Sequence, residues 1–166
     1  MDWDQYFMSM AYLAAMKSKD TSTKVGSVAV DDEHEILATG YNGFPRGFDD
    51  SDPSRQEKPN KLLYMIHSEA NTVISAARKG ISLKGSTMYV TWCPCDKCAL
   101  TIVQAGVKEV VTHKENPIPE SWAPAIQLAK EILTEGGVIH REWSGRIVTP
   151  VMFTGGKIIQ NPLDAM

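Results

Sequence analysis

The sequence predicts an α/β protein: one mixed five-stranded sheet that opens with a β-hairpin and carries helices on both faces, a three-layer α/β/α arrangement. Three observations lead there. Two β-rich runs flank a polar turn early in the chain, helix-like and strand-like segments alternate after it, and 166 residues suffice for one core without a break that marks a second. The whole of 1–166 therefore reads as a single domain.

Residues 1–18 carry Trp3, Tyr6, Phe7, Met10, Leu13, Ala14 and Met16 at helical spacing, with Asp2 or Asp4 available as the N-terminal cap. They predict the first helix. "KVGSVAVDDEHEILATGYNG" holds two strands, near 24–31 and 35–41, around the turn Asp31-Asp32-Glu33-His34. Residues 43–62 contain three prolines, two glycines and many charges, which predicts a long loop of the kind that is usually functional inside a compact domain. A helix at 67–79, a strand at 86–92, a helix from Cys95 to about Ala105, a strand at 108–113, a helix at 121–135 and a last strand near 137–142 complete the alternation. Residues 144–166 are apolar but weakly patterned and read as a tail that packs on the body or on another subunit.

Charge narrows the partners. The formal net charge is −3 and no run of Lys or Arg is present. A nucleic-acid polymer, which is gripped by clustered cations, is not expected. A nucleotide remains compatible, because a few phosphates need only one or two cations and backbone N–H groups. No apolar stretch approaches the roughly 18 residues of a membrane span, and Met1-Asp2-Trp3-Asp4 carries no basic leader. A cytoplasmic protein is the expectation.

Three cysteines, Cys93, Cys95 and Cys98, fall within six residues. Such a cluster suits a metal or a redox pair better than a disulfide framework. Pro94-Cys95-Asp96-Lys97-Cys98 lies where a strand gives way to a helix, so both sulfurs of the C-x-x-C share one face of the first turn. The dipole there favours thiolates. A redox pair and a purely structural zinc are the rival readings, although the latter wants a fourth side-chain ligand.

His67 can supply a nitrogen. A histidine at a helix start is ordinarily a surface or capping residue, and Glu69 alone is an ordinary first-turn acid. Together with Pro94-Cys95-x-x-Cys98 they form His-x-Glu followed by Pro-Cys-x-x-Cys, the signature of zinc nucleobase deaminases. Three ligands, His67, Cys95 and Cys98, leave the fourth position of Zn²⁺ for water, whose pKa such a metal can lower to about 7. Glu69 is then free to move protons. Cys93 is not needed and reads as a buried strand-end thiol.

These motifs resemble those of the deoxycytidylate (dCMP) deaminases, a branch of the zinc-dependent cytidine deaminase superfamily. The likeness spans about residues 1–142, through "KVGSVAV", "GYNGFPRG", "HSEANTVISAARKG", "STMYVTWCPCDKC" and "IVQAGVKEVV". It implies a cytidine-deaminase-like fold, conversion of dCMP to dUMP for thymidylate synthesis, and a homohexamer activated by dCTP and inhibited by dTTP with Mg²⁺. It implies Asn42, Ser68, Trp92 and Pro94 as substrate residues, and Lys24, Gly40, Tyr41, Asn42, Gly43, Arg46 and Arg78 around the effector. Leu100 and Asn116 occupy places where relatives often carry Lys and Tyr, which leaves dCMP against dCTP open. A single zinc is expected, since 43–62 holds no Cys or His. A tRNA adenosine deaminase and a non-catalytic zinc-binding module are the competing functions.

Overall fold

The computed structural model describes residues 1–148 and two further short strands, β6 (Met152–Thr154) and β7 (Lys157–Ile159), which pair antiparallel with each other. Helix α1 (Trp3–Ala15) begins at Asp2, whose carboxylate accepts from the backbone N–H of Gln5 at 2.7 Å. That bond satisfies one of the donors a helix start leaves free. Strands β1 (Gly26–Val30) and β2 (Ile36–Tyr41) form the predicted hairpin. Its turn is held by Asp31, which accepts from the backbone of Glu33 and Glu35, with His34 at φ 68°.

The predicted loop 43–62 is partly ordered into a short helical turn at Pro53–Arg55 and helix α2 (Asn60–Tyr64). Helix α3 (Ser68–Lys79), strand β3 (Thr87–Val90), helix α4 (Asp96–Gln104), strand β4 (Glu109–His113), helix α5 (Ala123–Glu135) and strand β5 (Ile139–Trp143) follow. The sheet order is β2-β1-β3-β4-β5, antiparallel through β3 and parallel from β3 to β5. The helices α4 and α5 are the crossovers that parallel neighbours require.

Period-2 alternation sorts the core into two clusters. Val28, Val30, Tyr89 and Val111 meet Phe7, Met8 and Ala11 of α1 on one face. Ala29, Met88, Val90 and Val110 meet Ala76, Ile102 and Leu133, from α3, α4 and α5, on the other. The predicted three layers are present, with one helix on one side and three on the opposite side. Two glycines permit the close approach of helices to the hairpin. A Cβ on Gly26 would lie 2.1 Å from the carbonyl of Ala11, and one on Gly40 would lie 2.4 Å from that of Ser68.

Charged groups close the α1 face. Arg141 on β5 grips Asp4 with both Nη atoms, at 2.6 and 2.9 Å, and reaches Glu109 on β4 at 3.0 Å. Tyr89 donates to the same Asp4 at 2.8 Å. The Arg141 hydrogen bond, partly opposed by burial, holds the Asp4 carboxyl below its ordinary range. Of the predicted tail, residues 145–148 pack on the body: Gly145 O lies 3.0 Å from His113 Nε2, the carbonyl of Arg146 accepts from Gln5, and the N–H of Val148 donates to Ser9. Apart from β6 and β7, the chain beyond 148 lies outside the described residues.

Candidate active site

Two helix starts build the chemical corner. His67 is the N-cap residue of α3 and Cys95 that of α4, both in extended backbone conformation. Glu69 and Cys98 lie in the first turns of the same helices. Because α4 begins just beyond the carboxyl end of β3, the corner sits where open α/β sheets commonly hold ligands. The positive ends of two helix dipoles therefore converge on thiols and a carboxylate.

His67 Nδ1 lies 3.4 Å from Cys95 Sγ and 3.5 Å from Cys98 Sγ. All three ligand atoms lie within 4.8 Å of one another, the one such group among the described residues. Zinc bonds of about 2.0–2.1 Å to nitrogen and about 2.3 Å to sulfur, at tetrahedral angles, put the N···S edge at about 3.5 Å. The side chains fit Zn²⁺ as they stand. The hydrogen bond from Cys98, supported by His67, holds the Cys95 thiol well below its ordinary range. The same bond together with burial pushes Cys98 up. The bond to Cys95 also raises His67. A divalent cation bound here would displace the remaining thiol proton.

Glu69 stands beside this group without belonging to it. It is 4% exposed, and Ser68 Oγ donates to its Oε2 at 2.9 Å. Burial pushes its carboxyl up, against the pull of His67 and the Ser68 bond. Glu69, His67 and Cys95 line one cavity of about 240 Å³. Its aromatic walls are Trp92, just after β3, and Trp122, from the short turn Glu120–Trp122. The two indoles are edge to face with centroids 5.9 Å apart, and Trp122 lies 6.0 Å from the His67 ring. Trp92 Nε1 donates to the carbonyl of Pro117 at 3.2 Å, which fixes the loop after β4 against it. The touching indoles form one continuous apolar wall, against which a planar ring can lie and reach the metal corner.

Residues 1–114 match the sequence profile of the cytidine and deoxycytidylate deaminase zinc-binding region. The chain belongs to the cytidine and deoxycytidylate deaminase family. It is a zinc-dependent enzyme of that family, and its relatives are close. Human deoxycytidylate deaminase is 41% identical over 148 residues, covering 86% of this chain and 80% of the human protein. The probable deoxycytidylate deaminase of Drosophila melanogaster is 35% identical over 151 residues, covering 85% and 72%. The crystal structure of dCMP deaminase from the cyanophage S-TIM5 in complex with dCMP and dUMP superimposes with a TM-score of 0.68 at 29% identity, covering 84% of this chain and 95% of that one.

Within this deaminase the other predicted residues separate by place. Asn42 lines the cavity, but its amide is largely committed: Oδ1 accepts from Val25 N at 2.9 Å, and Nδ2 donates to Asp20 and to the carbonyl of Thr23. One lone pair of Oδ1 stays free for a ligand. Ser68 lines the cavity but is fully buried, with its hydroxyl bonded to Glu69, and Pro94 is buried outside the cavity lining. Cys93 is half-buried and lines the cavity instead of serving only as a strand-end thiol, and burial pushes it up to about 11.

Of the "GYNG" stretch, Gly40 packs closely against α3, where a Cβ would meet the Ser68 carbonyl and Thr72. The Tyr41 carbonyl accepts from Asn71, and Gly43 exchanges two backbone hydrogen bonds with Ile66, beside His67. Tyr41 and Gly43 also line a second cavity of about 90 Å³ with Lys17 and Lys19. Lys24, Arg46 and Arg78 are exposed and line neither cavity. Leu100 is 51% exposed on α4. Asn116 does not line the main cavity and donates to the Tyr12 hydroxyl at 2.8 Å and to the Thr91 carbonyl.

Sequence reasoning missed Asp20, Ser22, Lys58, Lys61 and Trp122, all of which line the main cavity. Trp122 ends "PIPESW", whose two prolines signal a shaped loop that a helix prediction from 121 absorbed. Nothing in the local pattern marks Lys61 as buried.

Proposed function

We propose that the protein deaminates dCMP to dUMP. The observation that carries this reading is the joint lining of one cavity by the His67 and Cys95 ligands, the buried Glu69 and two indoles, in a chain of this family. Deoxycytidylate deaminase is also the name of its human relative. The pyrimidine lies against the wall formed by Trp92 and Trp122 with its C4 toward His67, Cys95 and Cys98. Bound there, zinc supplies Lewis acidity that makes water a nucleophile at neutral pH. Glu69 takes a proton from the attacking water, gives it to ring N3, and then carries a proton to the departing amine as the C4–N bond breaks and C4–O remains. Ser68 steadies the Glu69 carboxylate through these transfers. The free lone pair of Asn42 Oδ1 accepts from the sugar.

The same reading extends to regulation and assembly. Activation by dCTP and inhibition by dTTP, each with Mg²⁺, are assigned to Lys24, Gly40, Tyr41, Asn42, Gly43, Arg46 and Arg78 on the strength of the family likeness. The second cavity beside Tyr41 and Gly43 carries two lysines, Lys17 and Lys19, and two carboxylates, Asp20 and Asp50, with Lys19 paired to Asp50 at 2.9 Å, so the effector assignment rests on the family likeness. A cytoplasmic homohexamer of single-domain chains, supplying dUMP for thymidylate synthesis, completes the proposal.

The test incubates the purified protein with dCMP, dCTP, deoxycytidine, cytidine and cytosine, following ammonia release and loss of cytosine absorbance. Turnover of dCMP above the others is expected. Silence on every substrate would sink the catalytic reading in favour of a zinc-binding module.

A further inference from the structure

The cavity holds a second polar cluster that the deamination chemistry does not use. Lys61 Nζ donates to Asp20 Oδ1 at 2.5 Å and to the Ser22 hydroxyl, and all three residues line the cavity. Lys61 is 6% exposed and Asp20 5%. A buried ion pair returns little net stability after desolvation, so stability alone is a weak reason for this one. An ammonium has three donors. Two are spent on Asp20 and Ser22, and the third remains for whatever occupies the space that Lys61 lines.

The negative partner is well damped. Asp20 also accepts from the backbone N–H of Ser22 at 2.8 Å and of Thr23 at 2.9 Å, and from Asn42 Nδ2 at 3.1 Å. Three residues before Lys61, Lys58 lines the same cavity and pairs with no carboxylate among the described residues. Two cations against one carboxylate leave the cluster with a single net positive charge. Neither Leu100 nor Asn116 lines the cavity, so a phosphate there would meet lysines from a different part of the chain.

We propose that Lys58 and Lys61, with the Ser22 hydroxyl, hold the 5′-phosphate of the nucleotide and make the enzyme select a monophosphate over the free nucleoside. This deepens the dCMP reading and rests on it. Lysine recognises phosphate as a point charge, and the partly closed cavity strengthens that attraction relative to water. Asp20 and Ser22 clamp Lys61 beforehand, so binding does not have to order a flexible side chain. A single net charge suits one phosphate better than a chain of three.

The experiment measures kcat/KM for dCMP against deoxycytidine. In parallel it measures the affinity for dUMP against deoxyuridine through tryptophan fluorescence, since Trp92 and Trp122 line the cavity. The wild type should prefer the phosphorylated compound of each pair. Lys58→Ala should reduce that preference about ten- to a hundredfold, the worth of a hydrogen bond to a charged group, chiefly through KM and Kd. Lys61→Met is combined with Asp20→Asn so that no buried charge is stranded, and should move both preferences the same way. Preference absent in the wild type, or undiminished in both variants, overturns the proposal. A wild type that prefers dUMP but leaves dCMP intact supports the phosphate site and defeats the dCMP reaction instead.

Discussion

The metal corner and the wall that carries Lys61 face one cavity but are built by different means. The corner is carried by regular elements: His67 and Glu69 open α3, which packs on β2 and β1, and Cys95 and Cys98 open α4, which begins just beyond β3 and packs beside α3. The other lining residues come largely from segments 18–25 and 53–65, tied together by the Lys61–Asp20 ion pair, while the Asn42 amide ties 18–25 to the end of β2. Chemistry that tolerates little displacement is mounted on helices and strands. Recognition, which distinguishes one nucleotide from another, is mounted on loops and on the one-turn helix α2 that carries Lys61.

The contrast can be broken most sharply at Glu69. Glu69→Gln should lower kcat by about a hundred- to ten-thousandfold while bound zinc, measured by elemental analysis, stays stoichiometric. Loss of the metal in that variant would mean that the carboxylate is part of the corner's framework. A smaller effect is expected at the aromatic wall. Trp122→Ala should raise KM for dCMP about two- to tenfold with a lesser change in kcat, the worth of one aromatic contact. An equal fall in kcat would show Trp122 acting on the reaction itself.

The smallest effect lies away from both regions, at the Asp4–Arg141 grip. Its folded-state carboxyl is depressed, so its contribution is present above the ordinary value of 3.8 and is lost as pH falls through the lower folded value. Asp4→Asn should therefore cost about 1 kcal/mol near neutrality, as a partly exposed pair does, with the gap from wild type closing on acidification below pH ~4. Urea unfolding across that range measures it. A gap that widens toward acid would reverse the sign assigned to Asp4.

The same division explains what could be read from the sequence. Strand alternation and helical spacing report burial on a regular element, so all five strands of the main sheet and the helices α1, α3, α4 and α5 were legible to within a few residues. His67, Glu69, Cys95 and Cys98 were legible too, because ligand spacing on a helix start is a local pattern. Lys61 was not, since its burial depends on Asp20, forty-one positions earlier. The resemblance puts Gly40 of "GYNG" near an effector nucleotide, and the structure gives that glycine a separate reason, the close approach of α3. A glycine alone does not reveal whether a ligand or a neighbouring backbone needs the room.

That contact at Gly40 makes the enzyme fragile in an unexpected spot. One added methyl would press on the Ser68 carbonyl, and relief requires α3 to slide outward with the imidazole and the proton carrier it bears. The two sulfurs, anchored on another helix, would stay behind. Catalysis could thus be abolished by alanine at a position that touches neither ion nor nucleotide, in a molecule whose hairpin and core remain intact.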